Sequence, residues 1–202
     1  MQRQHQPNQA QQTLKHSIRQ QMRAQRRALS NKQQQMAANN IKRQAQGSAA
    51  IMSAKRVLAY QPFAGEISPQ CLIQAMNIEN LYLPRITHYR RQQMQFYPSR
   101  RMSTCNRYGI LEPCAIGSPA KPNEFDLILV PLLAFDRNGS RIGMGSGYYD
   151  RALVCLDHQQ STRPNLVGMA HHFQETRNLN PEPWDIPLDA ILTDREFINI
   201  NL

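Results

Sequence analysis

The sequence lacks the features that mark a membrane or a secreted protein. No apolar run approaches the roughly 18 to 20 residues of a membrane span. The opening residues, MQRQHQPNQA, contain no apolar stretch of the kind found in a secretory signal. The four cysteines show no CxxC spacing, so we expect neither a zinc site nor a disulfide framework. These absences favour a reducing compartment, and we expect a cytoplasmic protein without membrane contacts.

Acidic residues are also missing from the first part of the chain, where Glu66 is the first to occur. Residues 1–60 carry eleven Lys and Arg, whereas the rest of the chain balances thirteen basic against fourteen acidic residues. The net charge of +10 is therefore N-terminal, and we expect the body of the protein to carry no such field of its own. A basic N-terminal segment suits an arm that binds nucleic acid, and it equally suits a helix that faces a polyphosphate ligand.

The chain divides into a polar tail and one domain. Residues 1–12 are rich in Gln and nearly devoid of apolar anchors, which predicts a disordered tail ahead of a single domain at 13–202. Thr13 is a candidate N-cap for a first helix, whose apolar face would contain Leu14, Ile18, Met22 and Leu29. Ser30 is a candidate N-cap for a second helix, with a predicted buried side of Met36, Ile41, Ala45 and Met52.

The remaining segments alternate between strand and helix patterns. Helices are predicted at 68–77 and 146–159, and strands at RVLAYQ, NLYLPRI, QMQFYPS, FDLILVPLL, NLVGMA and DAILT. The run FDLILVP is apolar without alternation, which is typical of a strand covered on both faces. The pattern predicts an α/β fold, a three-layer Rossmann-like domain with a largely parallel sheet. Ligands of such sheets collect at the carboxyl ends of the strands.

Four of the nine glycines occur within residues 139–147, directly after the apolar strand, in the segment GSRIGMGSGYYDR. Glycines let backbone N–H groups approach an anion closely, and the N-terminus of a following helix adds favourable partial charge. Arg141 supplies a bidentate partner for phosphate. The segment matches neither the P-loop nor the GxGxxG pattern. An ordinary tight turn between strand and helix is therefore the competing interpretation.

The longer run VPLLAFDRNGSRIGMGSGYYDR closely resembles the signature of the 5-formyltetrahydrofolate cyclo-ligase family. Further similar features occur in order: Lys15, Arg19, Glu66, LPR at 83–85, YGILEP at 108–113 and WDIPLDAILTD at 184–194. The resemblance covers about residues 13–200. It implies an ATP-dependent enzyme that phosphorylates the formyl oxygen of 5-formyltetrahydrofolate. Attack by N10 and loss of phosphate then give 5,10-methenyltetrahydrofolate.

The resemblance also implies which residues bind ATP. Lys15 and Arg19 are four residues apart and share one helix face. The residues alone favour a solvated stripe that continues through Arg23 and Arg26. By resemblance they contact the nucleotide, and Arg141 is both a phosphate ligand and the catalytic residue. The remaining ATP-binding positions are Ile142, Gly143, Met144, Gly145, Ser146, Gly147, Tyr148 and Tyr149.

Two carboxylates beside a nucleotide suit a magnesium ion that keeps most of its waters. The resemblance implies Asp150 and Asp185 as these ligands, and Asp189 is an alternative to Asp185. Each residue taken alone is more often an ordinary turn or loop carboxylate.

Tyr148 and Tyr108 are candidates for stacking on the pterin ring, and Glu66 is a candidate acceptor for its N–H groups. Gln61 is assigned to the same substrate pocket, with Phe63 and Phe135 as weaker candidates. Aromatic residues at such positions are as often part of a hydrophobic core.

The expected partners are small molecules, namely 5-formyltetrahydrofolate and ATP, bound by a monomer. Two other functions fit parts of the sequence. One is a nucleic-acid-binding protein that uses its basic arm, and the other is a protein that binds folate or nucleotide without turnover. Nucleic-acid binding would weaken steeply with salt, which distinguishes it from the ligase.

Overall fold

A seven-stranded sheet forms the centre of the computed structural model, which describes residues 9–156, 163–182 and 185–202. The strands are β1 (Arg56–Leu58), β2 (Asn80–His88), β3 (Gln93–Pro98), β4 (Met102–Cys105), β5 (Leu111–Pro113), β6 (Leu127–Pro131), β7 (Ala134–Phe135), β8 (Arg141–Ile142), β9 (Asn165–Ala170), β10 (Ala190–Thr193) and β11 (Phe197–Asn199). The helices are α1 (Gln9–Ala28), α2 (Asn31–Ala45), α3 (Ala49–Met52), α4 (Gln70–Ala75) and α5 (Tyr148–Leu153).

The strand order of the main sheet is β11-β10-β9-β6-β1-β2-β3. The five inner strands run parallel, and the antiparallel strands β11 and β3 close the two edges. Strands β4 and β5 pair as one small ribbon, and β7 and β8 pair as another. The predicted α/β fold with a largely parallel sheet is confirmed.

Strand β6 shows why the sheet needs a layer on each face. Leu127 and Leu129 pack into the cluster that contains α2, α3 and α4, whereas Ile128 and Val130 pack into the cluster that contains Leu153 of α5. Successive side chains of a strand point to opposite faces, so a strand buried on both sides is apolar throughout. The covered strand predicted from FDLILVP is confirmed.

Helix α1 begins at Gln9, so the expected N-cap at Thr13 is wrong. The Thr13 hydroxyl lies inside the helix and donates to the Gln9 carbonyl at 2.9 Å. Four of the residues assigned to the disordered tail therefore belong to α1, and residues 1–8 lie outside the described part of the chain. The division into a tail and one domain stays a prediction.

Ser30 is confirmed as the N-cap of α2, where it forms a capping box with Gln33. Two residues of the predicted apolar faces are instead exposed: Leu14 by 54% and Met36 by 56%. Helix α2 buries Ala37, Ala38, Ile41 and Ala45, and Met36 lies just outside this stripe. Leu14 lies N-terminal to Met22, the residue through which α1 enters the small cluster around Leu133 and Ile142.

Several other boundaries differ from the predicted ones. The helix predicted at 68–77 is confined to α4, and Met52 belongs to the separate helix α3. Helix α5 spans Tyr148–Leu153, and residues 157–159 of the predicted helix lie outside the described residues. Among the described helices, none has both the length and the apolar character needed to cross a membrane.

Candidate active site

The carboxyl ends of β1 and β6 open onto a cavity of about 320 Å³. Tyr60 and Gln61 follow β1 at this edge, and Pro131 is the last residue of β6. The glycine segment, which we define as residues 143–147, follows β8 and forms one side of the cavity. Residues of β2 and β3 and the 106–112 segment form the other side. The cavity therefore lies where ligands are expected in a parallel sheet.

The glycine segment presents an unusual run of main-chain donors. The N–H groups of residues 143 to 147 donate to no acceptor in the part of the chain that the structure describes. Gly147 has a φ of 63° and adopts the left-handed conformation from which α5 starts. Exposed amides next to a helix start form an anion-binding surface, because each unpaired N–H can donate to an oxygen of the ligand.

Helix α1 holds this segment from outside. Arg19 Nε donates to the Gly143 carbonyl at 3.1 Å, and an Arg23 Nη donates to the Met144 carbonyl at 2.8 Å. Burial, together with the charge of Arg23, lowers the pKa of Arg19 below its usual value. Lys15 Nζ lies 3.3 Å from a Glu182 carboxylate oxygen and 3.9 Å from Asp185 Oδ2. The predicted basic face of α1 thus contacts the protein and is not a free arm.

Arg23 is the residue of this face that reaches the cavity wall, whereas Lys15 and Arg19 do not line the cavity. Its Nε atom is buried and has no partner among the described residues. In the sequence, Arg23 belongs to the solvated stripe that was the alternative to a nucleotide-binding face. Its spacing of four from Arg19 was the signal that the functional face continues for another turn.

Arg141 connects the cavity wall at Asp150 to the segment that contains Ile186. Its guanidinium is only 6% exposed and donates to Asp150 Oδ1 and to the carbonyl of Ile186. Asp150 is more accessible, with a side chain that is 36% exposed, and no described residue donates to its other carboxylate oxygen. Both residues line the cavity, as their predicted roles require.

Asp185 and Asp189 have different environments. Asp185 Oδ2 accepts a hydrogen bond from the Glu182 amide at 2.8 Å and lies near Lys15. Asp189 is 2% exposed, forms a buried ion pair with Arg163 and accepts the Leu166 amide at 2.8 Å. Because Asp189 is already fully engaged away from the cavity, the structure favours Asp185 over this alternative.

Glu66 is the buried carboxyl of the cavity. Burial raises its pKa to about 7, although the Arg26 charge opposes this shift. Its Oε2 atom accepts the Phe63 amide at 3.1 Å, and its Oε1 atom lies 3.7 Å from an Arg26 Nη. The carboxyl is therefore held in place by one main-chain donor and one guanidinium, and its charge depends on pH near neutrality.

The predicted aromatic residues divide between the cavity and the core. Gln61, Phe63, Tyr108 and Tyr148 line the cavity beside Glu66. The hydroxyls of Tyr148 and Tyr149 are buried without a partner in the described residues. Burial, with a smaller contribution from Glu66, raises the pKa of Tyr149.

Besides Lys15 and Arg19, the predicted positions Phe135, Ile142, Gly145 and Asp185 do not line the cavity. Phe135 is fully buried in the core beneath it, so the weaker pocket assignment for this residue is wrong. Ile142 packs with Met22 in the small cluster, and Gly145 faces the Arg19 guanidinium. Only the main chain of these last two residues is available to a ligand, and their assignment to ATP stays a prediction.

Comparison with known sequences agrees with this geometry. The sequence model of the 5-formyltetrahydrofolate cyclo-ligase family matches residues 11–194. The chain belongs to this cyclo-ligase family. The resemblance drawn from the glycine segment and its surroundings is thereby confirmed.

Two curated cyclo-ligases match over nearly their whole length. The chain is 36% identical to the 5-formyltetrahydrofolate cyclo-ligase of Haemophilus influenzae over 181 residues, 87% of this chain and 95% of that protein. It is 34% identical to the Escherichia coli K12 protein of the same name over 177 residues, 85% of this chain and 96% of the other.

Two solved structures share the fold. The 5,10-methenyltetrahydrofolate synthetase of Aquifex aeolicus superposes with a TM-score of 0.77 at 27% identity, over 94% of both chains. The synthetase of Mycoplasma pneumoniae superposes with a TM-score of 0.66 at 25% identity, over 89% of this chain and 98% of the other.

Arg26 of this cyclo-ligase is a second residue that sequence reasoning missed. It is 1% exposed and donates to the carbonyls of Phe63, Ala64 and Leu132. A Cβ atom on Gly65 would lie 2.8 Å from the Arg26 carbonyl, so the glycine allows this close approach. Arg26 thus fixes the loop that carries Glu66 against α1. Charge patterning alone gave no signal for a buried arginine.

Proposed function

We propose that the protein converts 5-formyltetrahydrofolate to 5,10-methenyltetrahydrofolate with ATP, releasing ADP and phosphate, in folate one-carbon metabolism. The observation that carries this proposal is the composition of one cavity. Unpaired amides and the Arg141–Asp150 pair form one side, and aromatic rings with a buried carboxyl form the other. Family membership supports the same reaction and the same enzyme class.

The phosphate side is assigned to the glycine segment, Arg23 and Arg141. Main-chain N–H groups of residues 143 to 147 donate to phosphate oxygens, and Arg141 offsets the charge that develops during transfer. We assign Lys15 and Arg19 to the more distant part of the nucleotide. Arg19 binds the outer side of the glycine segment, and Lys15 lies one turn earlier on the same face of α1, beside Asp185. Positioning supplies much of the rate in such a reaction.

The folate side is assigned to Glu66, Gln61, Tyr108 and Tyr148. The ionised Glu66 carboxylate accepts hydrogen bonds from N–H groups of the pterin, and tyrosine rings offer flat apolar surfaces to it. This arrangement holds the formyl group toward the phosphate side.

Chemistry proceeds in two steps. The formyl oxygen attacks the γ-phosphorus, and the bond to ADP breaks. N10 then attacks the activated carbon, loses its proton, and phosphate departs as the methenyl bridge forms. Arg141 is the catalytic residue of both steps, since it lies beside the cavity where phosphate is transferred and released.

The donor set fits a magnesium ion. Asp150 has a carboxylate oxygen without a partner among the described residues, and Asp185 is a second oxygen donor on a neighbouring segment. Magnesium prefers a few carboxylates and several waters. A bound ion would supply charge neutralisation for the triphosphate, and Asp150 and Asp185 would hold it.

The proposal includes a single domain at 13–202, acting as a monomer in the cytoplasm. The four cysteines are free thiols, as a reducing compartment allows. We do not propose nucleic-acid binding, because the basic residues of α1 at 15, 19, 23 and 26 contact the protein itself.

The test is a spectrophotometric assay of methenyltetrahydrofolate formation by the purified protein. We expect product with ATP and magnesium together and none when either is omitted. Conversion without ATP, or no conversion by folded protein, would refute the proposal.

A further inference from the structure

The glycine segment is held by its carbonyl groups as well as by its position after β8. Besides the two contacts from α1, a third comes from α5, where Arg151 donates through an Nη atom to the Ser146 carbonyl. The same Nη atom donates to the side-chain oxygen of Gln92, which lies in the turn between β2 and β3. The guanidinium of Arg151 therefore connects the glycine segment to the edge of the sheet.

Arg151 binds the Ser146 carbonyl from outside the cavity. Ser146 and Gly147 line the cavity, whereas Arg151 and Gln92 do not. The Ser146 carbonyl accordingly points away from the cavity. In a planar trans peptide, the C=O group and the N–H group that follows it point in opposite directions. The Gly147 amide, which belongs to the same peptide, therefore points into the cavity.

The close packing of Arg151 explains why residue 147 is a glycine. A Cβ atom at this position would lie 3.1 Å from an Arg151 Nη atom, so the guanidinium packs against bare main chain. The φ of 63° also favours glycine. In addition, the Arg151 amide donates to the Gly147 carbonyl at 3.2 Å. Arg151 thus binds the carbonyls of two successive residues, one through its side chain and one through its main chain.

The first amide of the glycine segment is oriented by a different contact. The peptide that contains the Gly143 amide has the Ile142 carbonyl as its acceptor, and this carbonyl accepts the Leu133 amide at 2.7 Å. Arg151 takes no part in that hydrogen bond. The Gly143 amide is therefore an internal reference, since its direction should not depend on Arg151.

The competing role for Arg151 is that of a surface charge that attracts an anion through solvent. Arg151 is an exposed residue, and salt screens an exposed charge over about 10 Å at roughly 0.1 M and over about 3 Å at roughly 1 M. The direction of a main-chain amide does not depend on salt in this way. The two roles therefore predict different salt dependences for the loss of Arg151.

We propose that Arg151 is a positioning residue of the phosphate side, which orients the Gly147 amide to donate to a phosphate oxygen of the nucleotide. This role rests on the proposed function. Arg151 does not touch the nucleotide and acts only through the Ser146–Gly147 peptide. A donor that already points at the ligand needs no reorganisation when the ligand binds or reacts. Gln92 binds the same guanidinium and fixes the direction from which it reaches Ser146.

The deciding variant is Arg151→Met, which keeps an unbranched apolar side chain and removes the donors and the charge. The dissociation constant of magnesium-ATP, measured by calorimetry without folate, should rise about tenfold, as loss of one hydrogen bond to a charged ligand predicts. The ratio of variant to wild type should be the same at low and high salt, and the dissociation constant of the folate should not change.

The matched control is Arg43→Met, which removes another exposed arginine. Arg43 lies on α2, which packs on the face of the sheet opposite to α5. This variant should bind both ligands as the wild type does.

Amide NMR spectra test the orientation itself. In the wild type, saturating magnesium-ATP should shift the Gly143 and Gly147 amide resonances downfield. In Arg151→Met, the shift of Gly147 should be lost at saturation and that of Gly143 retained. Arg151→Lys keeps the charge and one donor, and it should show the same pattern with a smaller loss. It provides the test should Arg151→Met not fold.

Equal losses at Gly143 and Gly147 would overturn the inference. An unchanged ATP affinity would do so too, as would a ratio of variant to wild type that approaches one at high salt. Wild-type protein that binds magnesium-ATP with the Gly147 shift but forms no product would refute the proposed reaction and support the role of Arg151. Wild-type protein that binds no ATP would refute both.

Discussion

The two edges of the parallel sheet use the same kind of side chain for different purposes. Where strands begin, Asp126 accepts the Lys55 and Arg56 amides at 2.8 Å each, and Asp189 accepts the Leu166 amide and pairs with Arg163. Where strands end, Asp150 and Glu66 face a cavity. The carboxylates at the first edge accept hydrogen bonds from the protein itself. Those at the second edge can still accept hydrogen bonds from a ligand.

The comparison shows that an aspartate cannot be assigned a role from its neighbours in sequence alone. Asp185 and Asp189 are four residues apart in the same WDIPLD segment, yet only Asp189 starts a strand by filling the hydrogen bonds of the sheet edge. Unpaired main-chain donors in a buried position must find an acceptor, and the start of a parallel sheet has several. Position relative to the sheet decides the role.

The largest expected effect comes from the arginines of the two edges. Arg141→Gln should lower kcat/KM by about a thousandfold, because in the proposed reaction it removes the charge that faces the transferred phosphate. Its circular dichroism spectrum should match that of the wild type. The matched variant Arg163→Gln should retain activity and melt at a lower temperature. Loss of activity in Arg163→Gln without loss of stability would break the comparison.

Substitutions of Asp150 and Asp189 should likewise differ, one affecting activity and the other stability. Asp150→Asn should reduce turnover by about a hundredfold at limiting magnesium and change the free energy of unfolding by less than about 1 kcal/mol. Asp189→Asn should lower the free energy of unfolding by about 2 to 4 kcal/mol, because Arg163 loses a largely buried partner. Chemical denaturation and magnesium titrations measure both. A wild-type rate for Asp150→Asn at low magnesium would exclude it as a ligand.

Glu66 should make stability and folate binding depend on pH. Its folded-state pKa of about 7 exceeds the ordinary value of 4.5, so the folded protein retains a proton that the unfolded chain has lost. The unfolding free energy of the wild type should therefore fall relative to Glu66→Gln between about pH 4.5 and 7, by on the order of 3 kcal/mol in total. Folate affinity of the wild type should rise through the same range as the carboxyl ionises.

The control for this prediction is the KM for ATP. Glu66→Gln should raise the folate KM about tenfold and leave the ATP KM nearly unchanged, because one set of hydrogen bonds to a single substrate is lost. Equal changes in both constants, or parallel stability curves for the two proteins, would contradict the assignment.

The smallest effect is expected at Lys15. Lys15→Ala should raise the KM for ATP only about threefold, since the charge of this largely buried side chain is already partly neutralised by Glu182 before the nucleotide binds. Deletion of residues 1–8 is the control and should not change the KM. A longer deletion is not equivalent, because α1 begins at Gln9 and a Gln11 side-chain amide donates to the Asn180 carbonyl. An unchanged KM in Lys15→Ala would separate this residue from the nucleotide.

The sequence alone was sufficient to predict the strands of the sheet and the location of the candidate site. Uninterrupted apolar runs such as FDLILVP identify covered strands, and the glycine segment after that run identifies the ligand edge. Family resemblance then supplied the reaction. Turn chemistry was readable where a side chain acts locally, as Ser30 does with Gln33.

The sequence was insufficient where contacts are distant. Arg26 binds carbonyls of residues 37 or more positions away, so its burial could not be inferred from helix spacing. Met36 is exposed because a different face of α2 packs on the sheet, and the sequence of α2 alone does not show which face that is. The basic character of residues 80–111 does not appear in the charge of the whole body, because acidic residues elsewhere balance the six arginines of this segment.

Helix α1 contacts the segments that we assign to both substrates, through different residues. Arg19 and Arg23 hold the glycine segment, and Arg26 holds the loop that carries Glu66. A ligand that immobilises this helix from the nucleotide side lowers the entropy cost of binding on the folate side. Because linkage is reciprocal, ATP and folate should increase each other's affinity by the same factor.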